Sequence, residues 1–539
     1  MKLCHIPEVI GNPVPVSTVV SLHCQLDAAI TAVAAKPSLT EMVLVLLPIL
    51  RALGLALLRA IIEQRDHRLG SDPAPPCCPR CKTQLTRSRN LRPTSSYTLL
   101  GKLSFQRRAF NCGQCGSALY PTDWALRLRD RCNNHSDEFA SMVALLTTLL
   151  PNAKAMAVFQ RCFGFEVSTQ LARTISTQIG RELQCQQTDR AEFLWRQRTE
   201  NPELLEPVPA VLRTIERKKR VYVMVDDSKI GIQDGPRGRG ATARAAESPQ
   251  EKALRKAMQQ ERRQIAQSAK RTKPGPDAPP KPGASETTHD DNGFRNVRAL
   301  LIFDEADLAD VSKGRHTILK KRVLAHIGTL DEWYKFVHMA LAEAGALTAH
   351  EVIVIADGGN GIWEMFDELL PTTASRNVVQ VLDFYHASSH LWAAARAYKG
   401  NSTAKQRQAC IAWVKPMQKD LREGRVANVI QRLGKIKATG AVADEISKAK
   451  KYFETHRKRM RYNWLRDRKA LIGSGAMESV HAWVIQARCR LPGMRWSVDG
   501  ANTMLRLRCA WASDTWDESF RQAVDAPPRP LANGLKLQT

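Results

Sequence analysis

The chain has 539 residues, 43% of them hydrophobic, so it is long enough for several domains with real cores and too apolar for a disordered or fibrous protein. Its 80 Lys and Arg against 53 Asp and Glu leave a formal net charge of +27, which favours a polyanionic partner and places nucleic acid ahead of a membrane surface. The N-terminus lacks the basic, apolar and small-residue pattern of a secretory signal, so the 13 cysteines read as metal ligands in a reducing cytoplasm rather than as disulfides.

Residues 1–70 read as a helical segment. Val43, Leu46, Leu47, Leu50, Leu53, Leu57 and Ile61 recur mostly at three- and four-residue steps. Pro48, Arg51 and Arg59 interrupt the run before it reaches the ~18 uncharged residues of a membrane span, so the expectation is a buried or self-associating helix and no membrane partner.

Residues 71–125 read as a zinc-ribbon-like module. Cys78 and Cys81 form one Cys-x-x-Cys knuckle and Cys112 and Cys115 a second, and each short knuckle lets two thiolates face one tetrahedral Zn²⁺. Cys77 is an alternative to Cys78. The stretch Tyr97–Phe110 between the knuckles has the composition of a hairpin arm.

Residues 126–215 read as a helical, helix-turn-helix-like DNA-binding region. A helix over Ala153–Phe163, a break at Gly164-Phe-Glu-Val167 and a helix capped by Ser168 and running to Ile179 give that outline, and the second helix would enter a major groove. The same outline fits two helices packed for structural reasons alone.

From residue 216 the pattern becomes α/β. The β-branched run from Arg220 ends in Asp226-Asp227, and an insertion over 235–295 carries Arg237-Gly-Arg-Gly240, a helix start at Ser248-Pro-Gln-Glu251 and a Pro-rich linker over Lys273–Gly283. Strands are expected at Val297–Phe303, Arg322–Ile327, Glu351–Ala356 and Val378–Asp383, with a helix over about Leu330–Ala344, giving a mixed sheet covered by helices. Residues 387–470 read as all-α. The apolar run from Glu351 closes on Asp357, and Gly473-Ser-Gly-Ala-Met-Glu478 leads into another helical pattern, so Asp226, Asp357 and Glu478 are carboxylates on three elements. Converging, they would suit hard divalent cations in phosphodiester chemistry.

The positive charge concentrates late in the chain. Arg457, Lys458, Arg459 and Arg461, then Arg488, Arg490 and Arg495 beside Trp496, are the candidate DNA contacts, with Arg506, Arg508, Trp483 and Trp511 extending the pattern of cations interleaved with stacking surfaces. Structural tryptophans beside a solvated arginine face are the alternative. Residues 516–539 read as a flexible tail.

Taken together, these motifs resemble bacterial insertion-sequence transposases of the Asp-Asp-Glu class, most similar to the ISKra family and related to the Mutator-like group. The resemblance covers roughly residues 40–515 and rests on the paired Cys-x-x-Cys knuckles around Leu99-Leu-Gly and Arg107-Arg, Ala356-Asp-Gly with Ile362-Trp363, Asp383-Phe-Tyr-His386, Gly473-Ser-Gly-Ala-Met-Glu-Ser479, and Met494-Arg-Trp-Ser497 with Gly500-Ala501. It implies an RNase H-like catalytic domain over 216–515 in which Asp226, Asp357 and Glu478 hold two Mg²⁺ or Mn²⁺ ions, His386 assists within an Asp-x-x-His motif, and double-stranded DNA is cut and joined at transposon terminal repeats by a homodimer or higher oligomer in the bacterial cytoplasm. This chain has Asp226-Asp227 where the family usually has Asp-Gly, so either acid could be the first ligand. A nuclease with the same acids, or a DNA-binding regulator descended from such an enzyme, are the rival readings.

Overall fold

The computed structural model describes residues 16–70, 77–78, 81–126, 128, 135–200, 217–233, 293–312, 315–359 and 361–525. The chain divides into two compact units, one of residues 1–179 with 524–539 and one of residues 180–523.

In the first unit, helices Val16–Ala34 and Leu39–Gly70 precede a three-stranded antiparallel sheet of β1 (Thr86–Thr98), β2 (Gly101–Asn111) and β3 (Ala118–Leu119). Along the start of β2 the residues alternate inward and outward, so that Leu103, Phe105 and Arg107 turn in and Lys102 and Ser104 turn out. Leu55, Leu58 and Ile62 of the long helix pack on Leu103 and Phe105. Polar contacts fix the same face: Asp66 accepts the Arg108 backbone N–H at 3.1 Å, and the buried Arg107 guanidinium meets Asp123 at 2.5 Å. The long helix runs unbroken through Pro48, and an 18-residue window within Leu39–Arg68 has a mean hydropathy of 2.2, so that by length and composition this helix could cross a membrane, where the sequence pattern predicts a buried or self-associating one.

Helix Asn152–Phe163 ends at Gly164, whose φ of 73° is the left-handed conformation glycine adopts freely, and Ser168 caps the next helix by accepting from the Leu171 N–H at 3.1 Å. The helix-turn-helix outline therefore forms locally, held by a cluster in which the Phe139 ring stacks 5.4 Å from Tyr97 and meets Phe159 edge-on at 5.6 Å. The second helix runs over Thr169–Glu200 rather than stopping at Ile179, because inward apolar positions continue through Leu183, Ala191 and Leu194.

The second unit is a mixed α/β domain. Its sheet has the order β10-β9-β4-β5-β8, formed by β4 (Arg220–Gly231), β5 (Phe294–Asp304), β8 (Arg322–His326), β9 (Glu351–Ala356) and β10 (Asn377–Leu382). Strands β4, β9 and β10 are parallel to one another, whereas β5 is antiparallel to both β4 and β8. Between β5 and β8 lies a short hairpin of β6 (Leu308–Ser312) and β7 (Arg315–Ile318) that the sequence patterning did not reveal. The central strands are nearly continuous apolar runs, as expected of strands covered on both faces.

Gly231 pairs with Phe294, and Ile232 N–H donates to Gly293 O at 2.8 Å, so β4 and β5 form an antiparallel pair whose ends meet on either side of the basic insertion in the sequence. The expected 235–295 segment, with its Ser248 helix start and Pro-rich linker, lies outside the described residues apart from its last three. The all-α block appears as helices Phe384–Lys399, Ala404–Arg422, Val426–Gly434, Gly440–Thr455 and Tyr462–Asp467. Residues Trp516–Asp525, assigned to the tail from sequence, form a helix that buries Trp516 and Phe520.

Candidate functional site

Register places the acids. Val225 of β4 pairs with Ala356 of β9, and Ala356 pairs with Leu382 of β10, so Asp226, Asp357 and Asp383 each follow a mutually registered position at the same end of three adjacent parallel strands. The Asp226 carboxyl is pushed upward, first by loss of hydration and further by Asp357, against the opposing charges of His481 and His386 and a backbone N–H from Asp227. Asp226, Asp357, His386 and His481 therefore share one field. Asp227 points to the other face of β4, where Asn296 on β5 donates to it at 3.4 Å. Loss of hydration is the main reason its carboxyl is raised to about 6, with Arg298 opposing and Asp226 and Asp357 adding to the rise. Strand alternation thus puts Asp226, not Asp227, beside His481.

Asp383 has other work. It caps helix Phe384–Lys399 by accepting from Tyr385 N–H at 2.8 Å and takes the Ser474 hydroxyl at 2.5 Å, while Phe384 N–H donates to Ile472 O at 3.0 Å. These bonds fasten residues 472–474 to the sheet end just before helix Gly475–Val480, which carries Glu478. The Glu478 side chain is exposed, and one turn later the His481 Nδ1 stands 3.7 Å from Asp226 Oδ2. The helix widens into a π turn over His481–Gln486, a local irregularity often found at functional sites. Carboxylate oxygens with imidazole neighbours suit a hard or borderline divalent ion in donor type. Their spacing is more open than a closed ligand shell: among the described residues, the cysteines are the one set of three or more His, Cys, Asp or Glu ligand atoms lying within 4.8 Å of one another.

Sequence reasoning missed His481, although the three-residue step from Glu478 is one helical turn and was there to be read. It also missed the wall beside Asp357. Tyr452 donates its hydroxyl to the Asp357 carbonyl at 2.7 Å and stacks on His390 at 3.8 Å, and a Cβ on Gly358, whose φ is 86°, would come within 2.9 Å of the His456 ring. His386 completes this group, 5.3 Å from the His390 ring. Tyr452 and His456 lie 95 and 99 residues downstream of Asp357, and His386 and His390 lie 29 and 33, with no local signature to connect them.

The four cysteines meet as expected. Cys78 Sγ lies 3.5 Å from Cys115 Sγ and Cys81 Sγ 3.3 Å from Cys112 Sγ. Four sulfurs at the ~2.3 Å bond length of a tetrahedral zinc stand roughly 3.8 Å apart, so these separations fit that ion. The two knuckles repeat one backbone design: Cys78 N–H donates to Thr83 O and Lys82 N–H to Cys78 O, while Cys112 N–H donates to Ser117 O and Gly116 N–H to Cys112 O. Lys82 and Gly116 adopt φ of 61° and 67° at matching places. The Ser117 hydroxyl and backbone lower the Cys115 thiol to about 6, favouring the thiolate that a metal requires. Cys77 lies outside the set and is exposed.

The cationic candidates separate into two kinds. Arg457, Lys458, Arg461, Arg490 and Arg495 are exposed, and Lys458, Arg459 and Arg461 line a cavity of about 750 Å³ beside the edge strand β10. Arg459 is braced by Gln380 at 2.8 Å and lies over Trp363, and Arg495 donates to Gly293 O at 3.0 Å. Arg488, expected as a DNA contact, is instead buried against the Trp496 ring, and the Trp496 indole N–H is taken by Cys489 O at 3.1 Å. Arg506 and Arg508 are likewise buried. For these positions the structural alternative holds, because helix Val498–Ala512 packs almost its whole circumference into the core.

No protein-family model matches the chain, and no curated protein matches it.

Proposed function

We propose that the chain is a cytoplasmic DNA transposase of the Asp-Asp-Glu type that binds transposon ends and catalyses divalent-metal-dependent cleavage and strand transfer. The observation that carries the reading is the alignment of Asp226 and Asp357 at the ends of adjacent parallel strands, with the Glu478-bearing helix brought to Asp226 through His481. A five-stranded mixed sheet with three parallel strands on one side of a hairpin, and an all-α block between second and third acids, supports the RNase H-like assignment.

In this reading Asp226, Asp357 and Glu478 would hold two Mg²⁺ or Mn²⁺ ions, and the bound metal would supply an activated water or 3′-hydroxyl and stabilise the departing oxygen. The protein's own residues arrange the rest. Asp383 and Ser474 hold the segment that delivers Glu478, Tyr452 and His456 wall the Asp357 turn, and His386 lies close enough to Asp226 to act on its charge. Exposed Lys458, Arg461, Arg490 and Arg495 attract the phosphate backbone.

One observation favours a second reading, a DNA-binding regulator that has lost its chemistry: the three carboxylates stand apart, outside any 4.8 Å ligand group. The deciding experiment is Mg²⁺-dependent cleavage of DNA carrying the element's ends by the wild type and by Glu478→Gln. Cutting lost in the variant while DNA binding persists supports the transposase. Equal cutting by both refutes the triad, and binding without cutting by either supports the regulator.

A further inference from the structure

Helix Leu39–Gly70 leaves a lengthwise apolar face uncovered. Val43, Leu47, Leu50, Gly54, Leu57 and Ile61 follow one another at steps of four, three, four, three and four residues, a period of 3.5. That period describes a straight stripe on a helix that winds around another helix, because the seam of a coiled coil repeats every seven residues over two turns. The larger members remain in solvent: Val43 is 42% exposed, Leu47 44%, Leu50 46%, Leu57 39% and Ile61 43%, with Leu44 at 65% beside them. Gly54 falls mid-stripe, where Leu100 from the β1–β2 turn reaches it. Within the same unit the helix packs through Leu55, Leu58 and Ile62 on β2 and also against helix Val16–Ala34, leaving the stripe residues exposed.

We propose that this stripe is the interface for a second copy of the chain, the two long helices pairing along Val43–Ile61. Three features favour self-pairing. The 3.5-residue period calls for another helix rather than a sheet or an extended peptide. The exposed apolar residues of the stripe amount to roughly 400 Å² per copy, half of the about 800 Å² per partner of a standard interface and within the range of the largest, often functional, patch on a monomer. No charged side chain lies on the stripe, and the flanking cations are already engaged: Arg51 donates to Cys162 O at 3.3 Å and Arg59 pairs with Glu63 at 3.0 Å. Two copies can therefore meet without opposing like charges. This inference stands apart from the catalytic reading, since it uses none of its residues.

The test is the mass of the full chain in detergent-free solution by sedimentation or light scattering, for the wild type, Leu47→Glu with Leu57→Glu, and Ala52→Glu. Ala52 is exposed on the side of the helix opposite the stripe. The wild type and Ala52→Glu should have twice the chain mass and the stripe variant the mass of one chain, with zinc content and circular dichroism unchanged in all three. A monomeric wild type overturns the proposal. So does a stripe variant of undiminished mass, or an Ala52→Glu that dissociates as readily. The same helix could enter a bilayer, so flotation with anionic phospholipid vesicles is run in parallel, and wild type recovered with vesicles as a monomer also overturns it.

Discussion

His326 offers a quantitative test of the second unit's core. It closes β8, is 5% exposed, and its Nδ1 stands 3.1 Å from Nη2 of Arg506, a fully buried guanidinium. An arginine only donates, so Nδ1 accepts, and the ring proton resides on Nε2, 3.4 Å from Glu332 Oε2. Burial is the main reason the imidazole is lowered from 6.5 to about 4, with Arg506 adding to the fall and the Glu332 bond resisting it. Above pH 6.5 native and unfolded chains both hold the neutral ring, and the full stability is present. As pH falls from 6.5 toward 4 the unfolded chain takes up a proton that the native chain refuses, so stability is lost, by about 3 kcal/mol at pH 4. Replacing His326 with Gln costs some stability at neutral pH through the altered contact with Arg506, but it removes that one titration. Urea unfolding between about pH 7.5 and about pH 4.5 should show the wild type losing about 2 to 3 kcal/mol more than His326→Gln over the same interval. Other groups, including buried His338, also lowered to about 4, titrate in both proteins and cancel in the difference. Equal losses in the two proteins would refute the assigned proton positions and the burial argument together.

Cys112→Ser should abolish stoichiometric zinc binding and leave β1–β3 amides open to hydrogen exchange, while amides of β4 and β9 stay protected; zinc retained at one ion per chain would contradict the four-thiolate site. Glu351 is 7% exposed and accepts from Arg220 Nε at 2.6 Å and Arg468 Nη2 at 2.7 Å, so Glu351→Gln leaves the buried Arg220 with Glu305 as its remaining carboxylate and should cost about 2 kcal/mol in chemical denaturation. A loss below about 1 kcal/mol would mean the arginines find other partners. Asp383→Ala removes both the helix cap and the Ser474 bond; exchange at the amides of residues 473–478 should quicken well before that of β9, and uniform destabilisation would refute the fastening role.

The sequence by itself determined what local chemistry and periodicity can write. The apolar β-branched runs at Val221–Val225, Val297–Phe303 and Val352–Ala356 are strands because nothing else buries them so fully, and Gly164 with Ser168 punctuates two helices through φ and capping alone. The paired Cys-x-x-Cys spacing likewise announced the four-cysteine cluster, since two residues between thiols is a local constraint. Tertiary structure decided the remainder. Which of Cys77 and Cys78 joins the set depended on a knuckle's backbone hydrogen bonds, and which of Asp226 and Asp227 faces Asp357 depended on the pleat of β4 against β5 and β9. His481, Tyr452 and His456 reach the acids only through packing of segments far apart in the chain. Arg488, Arg506 and Arg508 read as a cationic surface because charge is local, yet they are core residues because a helix surrounded on every side buries whatever it carries; composition records a charge, and only packing decides whether water sees it.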